Sequence, residues 1–361
     1  MSAKQISPSA VSALNFGRAV AALYVVLHHV AHHHGWSSQG FGLLLRFGQE
    51  SVLVFFLLSG FVIFANERDR AWPPYSYYLR RARRIYPALI AAVLISTIVA
   101  ADNGTLTRDF HASELIGTLF GLQDISSLKP GVIVDPYLGN DPLWSLSYEL
   151  AFYLVFPFVL RLWKNSPHLM EHGLGAVCCL AYIAYALIPN HWSLVGAYFL
   201  VWWCGAAVAE RYQKGERSFR ALGAPLYWLT ALCSISALIT IWVGSRGAGY
   251  YPVLPLRHFA VALGLIILLF NSAGSKAVRL LAPASAAWAA IASISYGLYV
   301  LHYPLLVTWQ RAQSVGGFLV ALMLLFVCAY FVDFKILKFL STGAAQPRSP
   351  KQYASGTQRP T

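Results

Sequence analysis

The stretch SALNFGRAVAALYVVLHHVAH, residues 12–32, decides the fold class. It is apolar over the roughly 20 residues that an α-helix needs to cross a hydrocarbon core, yet it contains the charged residue Arg18. The run is long and is not followed by a small-residue cleavage site, so we interpret it as a retained membrane helix and not as a signal peptide.

Further apolar runs of similar length predict an all-α, polytopic membrane protein of about ten transmembrane helices around a central pore. They lie at about 48–65, 85–101, 143–162, 172–189, 193–209, 223–243, 256–271, 285–308 and 316–340. The predicted organisation is a cytoplasmic N-terminal segment at 1–11, a transmembrane domain at 12–340 and a cytoplasmic tail at 341–361. The tail is polar and rich in Ser, Pro and Gly, which predicts disorder.

The composition agrees with a chain surrounded by membrane lipid. Hydrophobic residues make up 57% of the chain, charged residues 11%, and the mean hydropathy is +0.55, which excludes an ordinary soluble enzyme or a disulfide framework. A net charge of +13 would indicate a nucleic-acid partner in a soluble chain. Here most basic residues fall in the segments that share a side with both termini. The positive-inside rule therefore predicts cytoplasmic termini in a cell inner (plasma) membrane, and no nucleic-acid partner.

Ionisable side chains inside membrane helices indicate a functional site, because lipid solvates them poorly. Arg18 and His29 are eleven positions apart, which returns a helix to within about 20° of the same face and spans about 16 Å. His28 falls about 80° away from Arg18, so the helical phase favours His29 as the group that faces inward.

Glu149 lies in LWSLSYELAFYLVFP, residues 143–157, near the same predicted outer surface as His29. We expect these two side chains to share a depth, because a carboxylate beside a histidine makes a general base near neutral pH. A buried structural ion pair is the alternative interpretation.

Four arginines, Arg80, Arg81, Arg83 and Arg84, crowd the segment YYLRRARRIYP at residues 77–87. Membrane anchoring and attraction to anionic lipid explain such a cluster on composition alone. The functional alternative is capture of a phosphorylated cytosolic donor, since guanidinium groups bind phosphate in bidentate fashion.

Two outer segments carry further polar residues. The loop at 102–142 is acidic and is either part of an acceptor-side mouth or a solvated loop. The tract HHVAHHH at residues 28–34 has histidines at helical i, i+4 spacing, but no nearby carboxylate or cysteine completes a ligand set. No metal is therefore expected.

Several segments in order resemble the acyltransferase 3 family of integral membrane acyltransferases. They are LNFGRAVAALYVVLHH (14–29), GQESVLVFFLLSGFVI (48–63), RRARRIYP (80–87), LWSLSYELAFYLVFP (143–157) and SYGLYVLHYPL (295–305). Members often have Leu-Asp where this chain has Leu14 and Asn15, so a salt bridge at Arg18 is not expected from the pattern.

The resemblance implies an enzyme that O-acylates envelope or extracellular carbohydrates, such as an exopolysaccharide or lipopolysaccharide unit. Its co-substrate is cytosolic acetyl-CoA or another acyl-CoA. Applied to this chain, it implies catalytic roles for His29, Glu149 and Arg18, and donor binding by Arg80, Arg81, Arg83 and Arg84. The implied residues that line the pore or the acceptor site are Ser59, Trp144, Ser145, Tyr296 and His302.

A different class of function remains open from the residues alone. A polytopic transporter or exporter of a glycan or lipid-linked substrate could use Arg18, His29 and Glu149 as a relay. Transporters often contain inverted repeats and broken helices, and the sequence shows no clear pair of these.

Overall fold

The computed structural model describes residues 6–38, 40–280 and 285–336, and this part of the chain is helical without a β-strand. The predicted all-α class is confirmed. The helices are α1 (Pro8–His33), α2 (Gly48–Glu67), α3 (Pro74–Asp102), α4 (Leu106–Asp109), α5 (Ala112–Phe120), α6 (Trp144–Asn165), α7 (Pro167–Leu187), α8 (His191–Lys214), α9 (Ala224–Val243), α10 (Val253–Leu269), α11 (Ser272–Leu280), α12 (Ser285–Ser293), α13 (Ser295–His302) and α14 (Val315–Tyr330). The predicted tail at 341–361 lies outside the described residues.

Eight of the described helices are individually long and apolar enough to cross a membrane, and α12 with α13 makes a ninth candidate span. The α12–α13 pair is bent by 52°. At the break, Ile294 leaves the helical range with φ −111° and ψ 8°. The run predicted at 256–271 corresponds to α10, an apolar helix of only 17 residues. The chain is thus a multi-pass membrane protein, with one broken helix that the apolar pattern did not reveal.

The outer faces of the helices expose apolar side chains in a pattern that fits lipid contact. On α6, Leu154, Phe158 and Leu162 are 59%, 52% and 62% exposed, and they lie four residues apart on one helix face. A soluble protein rarely presents such a stripe to water, whereas hydrocarbon accommodates it.

The centre of the bundle depends on the close approach of α2 to α8. A Cβ atom added at Gly60 would lie 2.0 Å from the carbonyl oxygen of Trp202, and one at Gly205 would lie 2.0 Å from that of Leu57. Small residues allow such backbone proximity in membranes, where packing replaces the hydrophobic effect as the force between helices. This contact places Ser59, next to Gly60, in the interior.

The two ends of the bundle differ in chemistry. Along α1 the chain passes from Arg18 to His29, and along α3 it passes from the four arginines to Asp102. We call the end with Arg80 to Arg84 the arginine end, and the end with His29 the histidine end. Helix α3 is longer than the predicted span. It begins at Pro74 and not near residue 85, so all four arginines lie on the helix itself.

Candidate active site

A cavity of about 370 Å³ opens within the bundle toward the arginine end. Arg18, Arg81, Arg84 and Glu149 contribute its charged lining. Helices α1, α2, α3, α6 and α13 supply its walls, so residues far apart in sequence converge there. This cavity corresponds to the predicted central pore.

Arg18 is fixed by the broken helix. Its Nη2 donates to Ser295 Oγ at 3.2 Å, and Ser295 is fully buried. Ser295 is the first residue of α13, immediately after the bend at Ile294. The break therefore supplies a polar partner for a guanidinium group that lipid would not tolerate unpaired.

Glu149 lies in a hydrogen-bonded group with residues of α2, α6 and α8. Ser59 Oγ donates to Glu149 Oε1 at 2.9 Å, Tyr153 Oη donates to the same oxygen, and Trp202 Nε1 donates to Ser59 Oγ at 3.2 Å. The carboxylate is thereby held toward the cavity that also contains Arg18.

The expected pairing of Glu149 with His29 is wrong. Neither a hydrogen bond nor an ion pair joins them in the described chain, and the partner of His29 is His302. The physical reason is that each residue has a different partner. Ser59 and Tyr153 donate to the Glu149 carboxylate in the cavity, whereas His29 hydrogen-bonds to His302 of α13.

His29 and His302 form a hydrogen-bonded pair whose partners assign the ring protons. His302 Nδ1 lies 2.7 Å from the carbonyl oxygen of Tyr299 and 3.1 Å from that of Leu298. Because carbonyl oxygens only accept, Nδ1 of the neutral His302 ring carries the proton and Nε2 is an acceptor. That Nε2 lies 3.0 Å from His29 Nδ1, which therefore donates to it.

This arrangement leaves His29 Nε2 as the unprotonated nitrogen, with no hydrogen-bond partner among the described residues. His29 Nδ1 also lies 3.1 Å from the carbonyl oxygen of Val25, which holds the ring in place. The Tyr303 ring packs edge-on against His29 with centroids 5.2 Å apart. A histidine held in this tautomer has a free lone pair for proton abstraction or nucleophilic attack.

His28 faces elsewhere, as the helical phase predicts. Its Nδ1 contacts the carbonyl oxygen of Leu45 in the short helical segment Gly40–Leu45. It packs on His29 through an edge-on ring contact of 4.8 Å and has no contact with His302 among the hydrogen bonds of the described chain.

The arginine cluster is balanced by two carboxylates that the sequence reasoning did not single out. Arg80 and Arg81 both donate to Glu67 at the end of α2, and Glu67 is fully buried. Arg84 donates to Asp333 at 3.1 Å, after α14. Arg70 also donates to Glu67, so three guanidinium groups pair with one carboxylate. The cluster therefore keeps a net positive charge.

Arg83 differs from its neighbours, since it has no hydrogen bond or ion pair with any described residue. It remains free to bind a ligand. The acidic partners had a sequence signal, because Asp333 is the lone acid in its apolar run and Glu67 precedes Arg68 at the end of another.

The remaining residues implied by resemblance occupy two kinds of position. Ser145 lines the cavity and shares a 2.8 Å hydrogen bond with Tyr299. Tyr296 also lines the cavity, and the Arg84 guanidinium carbon lies 5.6 Å from the centre of the Tyr296 ring. Trp144 is buried and does not line this cavity; the Lys129 ammonium lies 4.1 Å from its ring centre. It holds the loop before α6 in place.

Comparisons with known proteins identify the family of the chain. A family model described as an acyltransferase domain matches residues 11–333. Nodulation protein 10 of Rhizobium leguminosarum bv. viciae is 24% identical over 296 residues, which cover 75% of this chain and 76% of the relative. No solved structure matches the chain.

Two further relatives are similar over part of their length. Acyltransferase MdmB of Streptomyces mycarofaciens is 35% identical over 153 residues, covering 41% of this chain and 38% of the relative. Peptidoglycan O-acetyltransferase OatA of Listeria monocytogenes serovar 1/2a is 24% identical over 319 residues, covering 80% of this chain and 48% of the relative.

Proposed function

This chain belongs to the acyltransferase 3 family and is an acyltransferase. From that premise we propose that it moves an acyl group, acetyl in the first instance, from cytosolic acyl-CoA to a hydroxyl group of an envelope or extracellular carbohydrate. The observation that carries the proposal is the His29–His302 pair, which leaves His29 Nε2 unprotonated and free. The name of the Listeria relative, a peptidoglycan O-acetyltransferase, supports acetyl transfer to a carbohydrate.

The donor end of this proposal is the arginine end. Arg83 has no partner in the described chain, and Arg80, Arg81 and Arg84 retain unused donors because a guanidinium group has five. Together they suit the phosphates of a nucleotide. The cavity above them would take the arm that carries the thioester. Arg18, about 16 Å from His29 along α1, would contact that arm from below.

The chemical step would occur at the histidine end. His29 Nε2 removes the proton of the acceptor hydroxyl as its oxygen attacks the thioester carbonyl carbon. The C–S bond then breaks and the imidazolium returns the proton to the CoA thiolate. His302 acts as a positioning residue, because its Nε2 keeps the remaining proton of His29 on Nδ1. Base catalysis of this kind contributes about 10²–10⁴ in rate.

Glu149 and Arg18 would act on the donor and not on His29. Both side chains line one cavity, which is the space proposed for the thioester arm. We propose that Arg18 orients this arm through its unused guanidinium donors, since its Nη2 alone donates to Ser295.

The test uses purified protein in nanodiscs, labelled acetyl-CoA and glycans extracted from the cell envelope. Wild type should label the glycans, and His29→Ala should lose at least about 10²-fold in rate while it still binds acetyl-CoA. His28→Ala is the matched control and should retain activity, because its ring hydrogen-bonds to the Leu45 segment.

Equal activity in wild type and His29→Ala would remove His29 from the reaction. Folded wild-type protein that binds no acetyl-CoA would overturn the proposed donor.

A further inference from the structure

A second cavity, of about 460 Å³, lies at the histidine end. It is enclosed by the end of α3, by α4 and α5, by the turn at Leu138 and Gly139, and by residues 308 and 310. Most of its lining side chains are polar, and the described lining includes no Arg or Lys. The proposed reaction assigns it no role.

One wall of this second cavity is held by a set of hydrogen bonds around the end of α3. Asn103 Nδ2 donates to the carbonyl oxygen of Thr308 at 2.8 Å, and the Gln310 amide donates to Asn103 Oδ1 at 3.0 Å. Beside it, Trp309 and Arg311 both donate to Asp102. A wall fixed in this way requires little ordering when a ligand binds.

The opposite wall presents a carboxylate. Glu114 and Leu138 both line the cavity, and the Glu114 carboxylate lies 3.6 Å from His111. Leu138 has φ 51°, a left-handed conformation that is uncommon for a residue with a side chain and that often marks a functional turn. Burial raises the pKa of Glu114, which agrees with a carboxyl group partly withdrawn from water.

A buried polar atom without a partner lies beside this wall. Asn140 is 1% exposed, and its Nδ2 donates to the carbonyl oxygen of Val300 and toward Ser96, which lines the cavity. Its Oδ1 has no hydrogen-bond partner. Buried polar atoms are almost always satisfied, so Asn140 Oδ1 is an exception, and it lies directly behind the lining residues Ser96 and Gly139.

The second cavity lies close to the proposed chemistry and far from the arginines. Thr308 follows His302 by six residues of helical and π-helical chain, about 9 Å along the axis. Asn103 lies about 29 Å from Arg84 along α3, which is close to the thickness of a hydrocarbon core. A ligand in this cavity would therefore meet the reaction from the end opposite the nucleotide.

We propose that this second cavity is the acceptor subsite, and that it holds a sugar residue without negative charge, with Glu114 and Asn103 as its principal hydrogen-bonding groups. Sugar hydroxyls both donate and accept, which suits a lining of carboxylates, amides and hydroxyls. The lining carboxylates Asp109 and Glu114 oppose phosphate or uronate groups. The inference rests on the proposed function, since it supplies the hydroxyl that His29 would deprotonate.

Two variants test the acceptor subsite by different means. Glu114→Gln keeps the shape and a carbonyl acceptor but removes the charge, and should raise the KM for envelope glycans about 10-fold to 100-fold. Gln310→Trp should fill the space while the backbone bond from residue 310 to Asn103 is kept, and should lower acetyl transfer to a similar extent. Asp135→Asn is the matched control, because Asp135 pairs with Ser126 on the same loop outside the cavity.

Each variant is measured for acetyl-CoA binding, for thioester hydrolysis without acceptor, and for transfer to envelope glycans. The expected result is normal donor binding and hydrolysis with impaired transfer in the two cavity variants alone. Transfer with unchanged KM in both variants would overturn the acceptor subsite while leaving the proposed function intact. A wild type with neither donor binding nor transfer would overturn the proposed function, and the subsite with it.

Discussion

The hydrogen bond from His29 to His302 sets which nitrogen of His29 is available for chemistry. In isolation, a neutral imidazole can place its proton on either nitrogen. Here the carbonyl oxygens of Leu298 and Tyr299 hold the His302 proton on Nδ1, and this in turn keeps the His29 proton on Nδ1. The pair therefore fixes the tautomer of His29 and also connects α1 to α13.

Replacement of His302 tests this role directly. His302→Ala should lower kcat about 10²-fold with little change in acetyl-CoA affinity, because His29 loses the acceptor that fixes its tautomer. His302→Gln can supply an amide oxygen to His29 Nδ1 and should recover part of the loss. A pH profile of kcat for each variant is the decisive readout.

A structural role for His302 predicts a different pattern. Both variants would then lose thermal stability in parallel with activity, the glutamine would not rescue, and the pH profile of the remaining activity would match that of wild type.

At this scale the sequence predicted angular position better than side-chain partners. Helical phase favoured His29 over His28 as the histidine on the face of Arg18, and both Arg18 and His29 face the interior as expected. Glu149 was assigned to the wrong partner because no local pattern shows that Ser59, 90 positions away, donates to it. The pairing of His29 with His302 joins residues 273 positions apart, for which no local pattern exists.

At the scale of elements, α3 connects the two ends of the molecule. Its first turns carry the arginines, its middle crosses the bundle, and its last residues, Asp102 and Asn103, bind the segment at 308–311. Arg80 and Arg84 share a helix face, yet they reach different acids, Glu67 and Asp333. The cluster thus connects α2 and the segment after α14 to the arginine end.

The donor assignment predicts the effect of removing two of these arginines. Arg83→Gln with Arg84→Gln should raise the Kd for acetyl-CoA at least about tenfold, since hydrogen bonds to charged groups are strong. Arg161→Gln is the control, because Arg161 packs over the Trp72 ring at the same end, 4.6 Å from its centre. Calorimetry in detergent measures both. Equal acetyl-CoA affinities for the double variant and wild type would mean that the cluster anchors the protein in the membrane and does not bind the donor.

The close contact between α2 and α8 predicts a loss of stability. Gly60→Ala should destabilise the protein by about 1–3 kcal/mol, because the new Cβ would collide with the backbone at Trp202. The displacement should also disturb the Ser59–Glu149 hydrogen bond. Gly264→Ala on α10 meets nothing within 4 Å and serves as the control.

Thermal unfolding in detergent should separate these two glycine variants by several degrees. A Gly60→Ala protein as stable as wild type would mean that α2 can move away from α8 without cost, and the contact would then not fix the site.

The presence of the long apolar helices could be predicted from the sequence, but their first and last residues could be predicted less well. Hydrophobic length located each apolar helix, because hydrocarbon thickness imposes it. The charge of the arginines suggested a loop at residues 74–84. Arginine side chains are long, however, so from a helix they can still reach carboxylates and the membrane surface. The break at Ile294 escaped the apolar pattern, since a bend inside an apolar run changes direction without changing composition.

At the scale of the whole molecule, the described residues enclose a cavity toward each end of the bundle. The cavity near the arginines is lined by three guanidinium groups, one carboxylate and many apolar side chains, whereas the cavity beyond His302 is lined mostly by carboxylates, amides and hydroxyls. This asymmetry suits a donor that is anionic and cytosolic and an acceptor that is a carbohydrate on the other side. The positive-inside rule predicts the same orientation, with both termini and the arginines on the cytoplasmic side.

The central claim is that an acyl group crosses the membrane from the arginine end to the histidine end, and a sided reconstitution tests it most directly. Purified protein is placed in liposomes that enclose oligosaccharides released from the envelope, and labelled acetyl-CoA is added outside only. We predict label on the enclosed oligosaccharides with wild type and almost none with His29→Ala. Label confined to oligosaccharides added on the same side as acetyl-CoA would contradict the account.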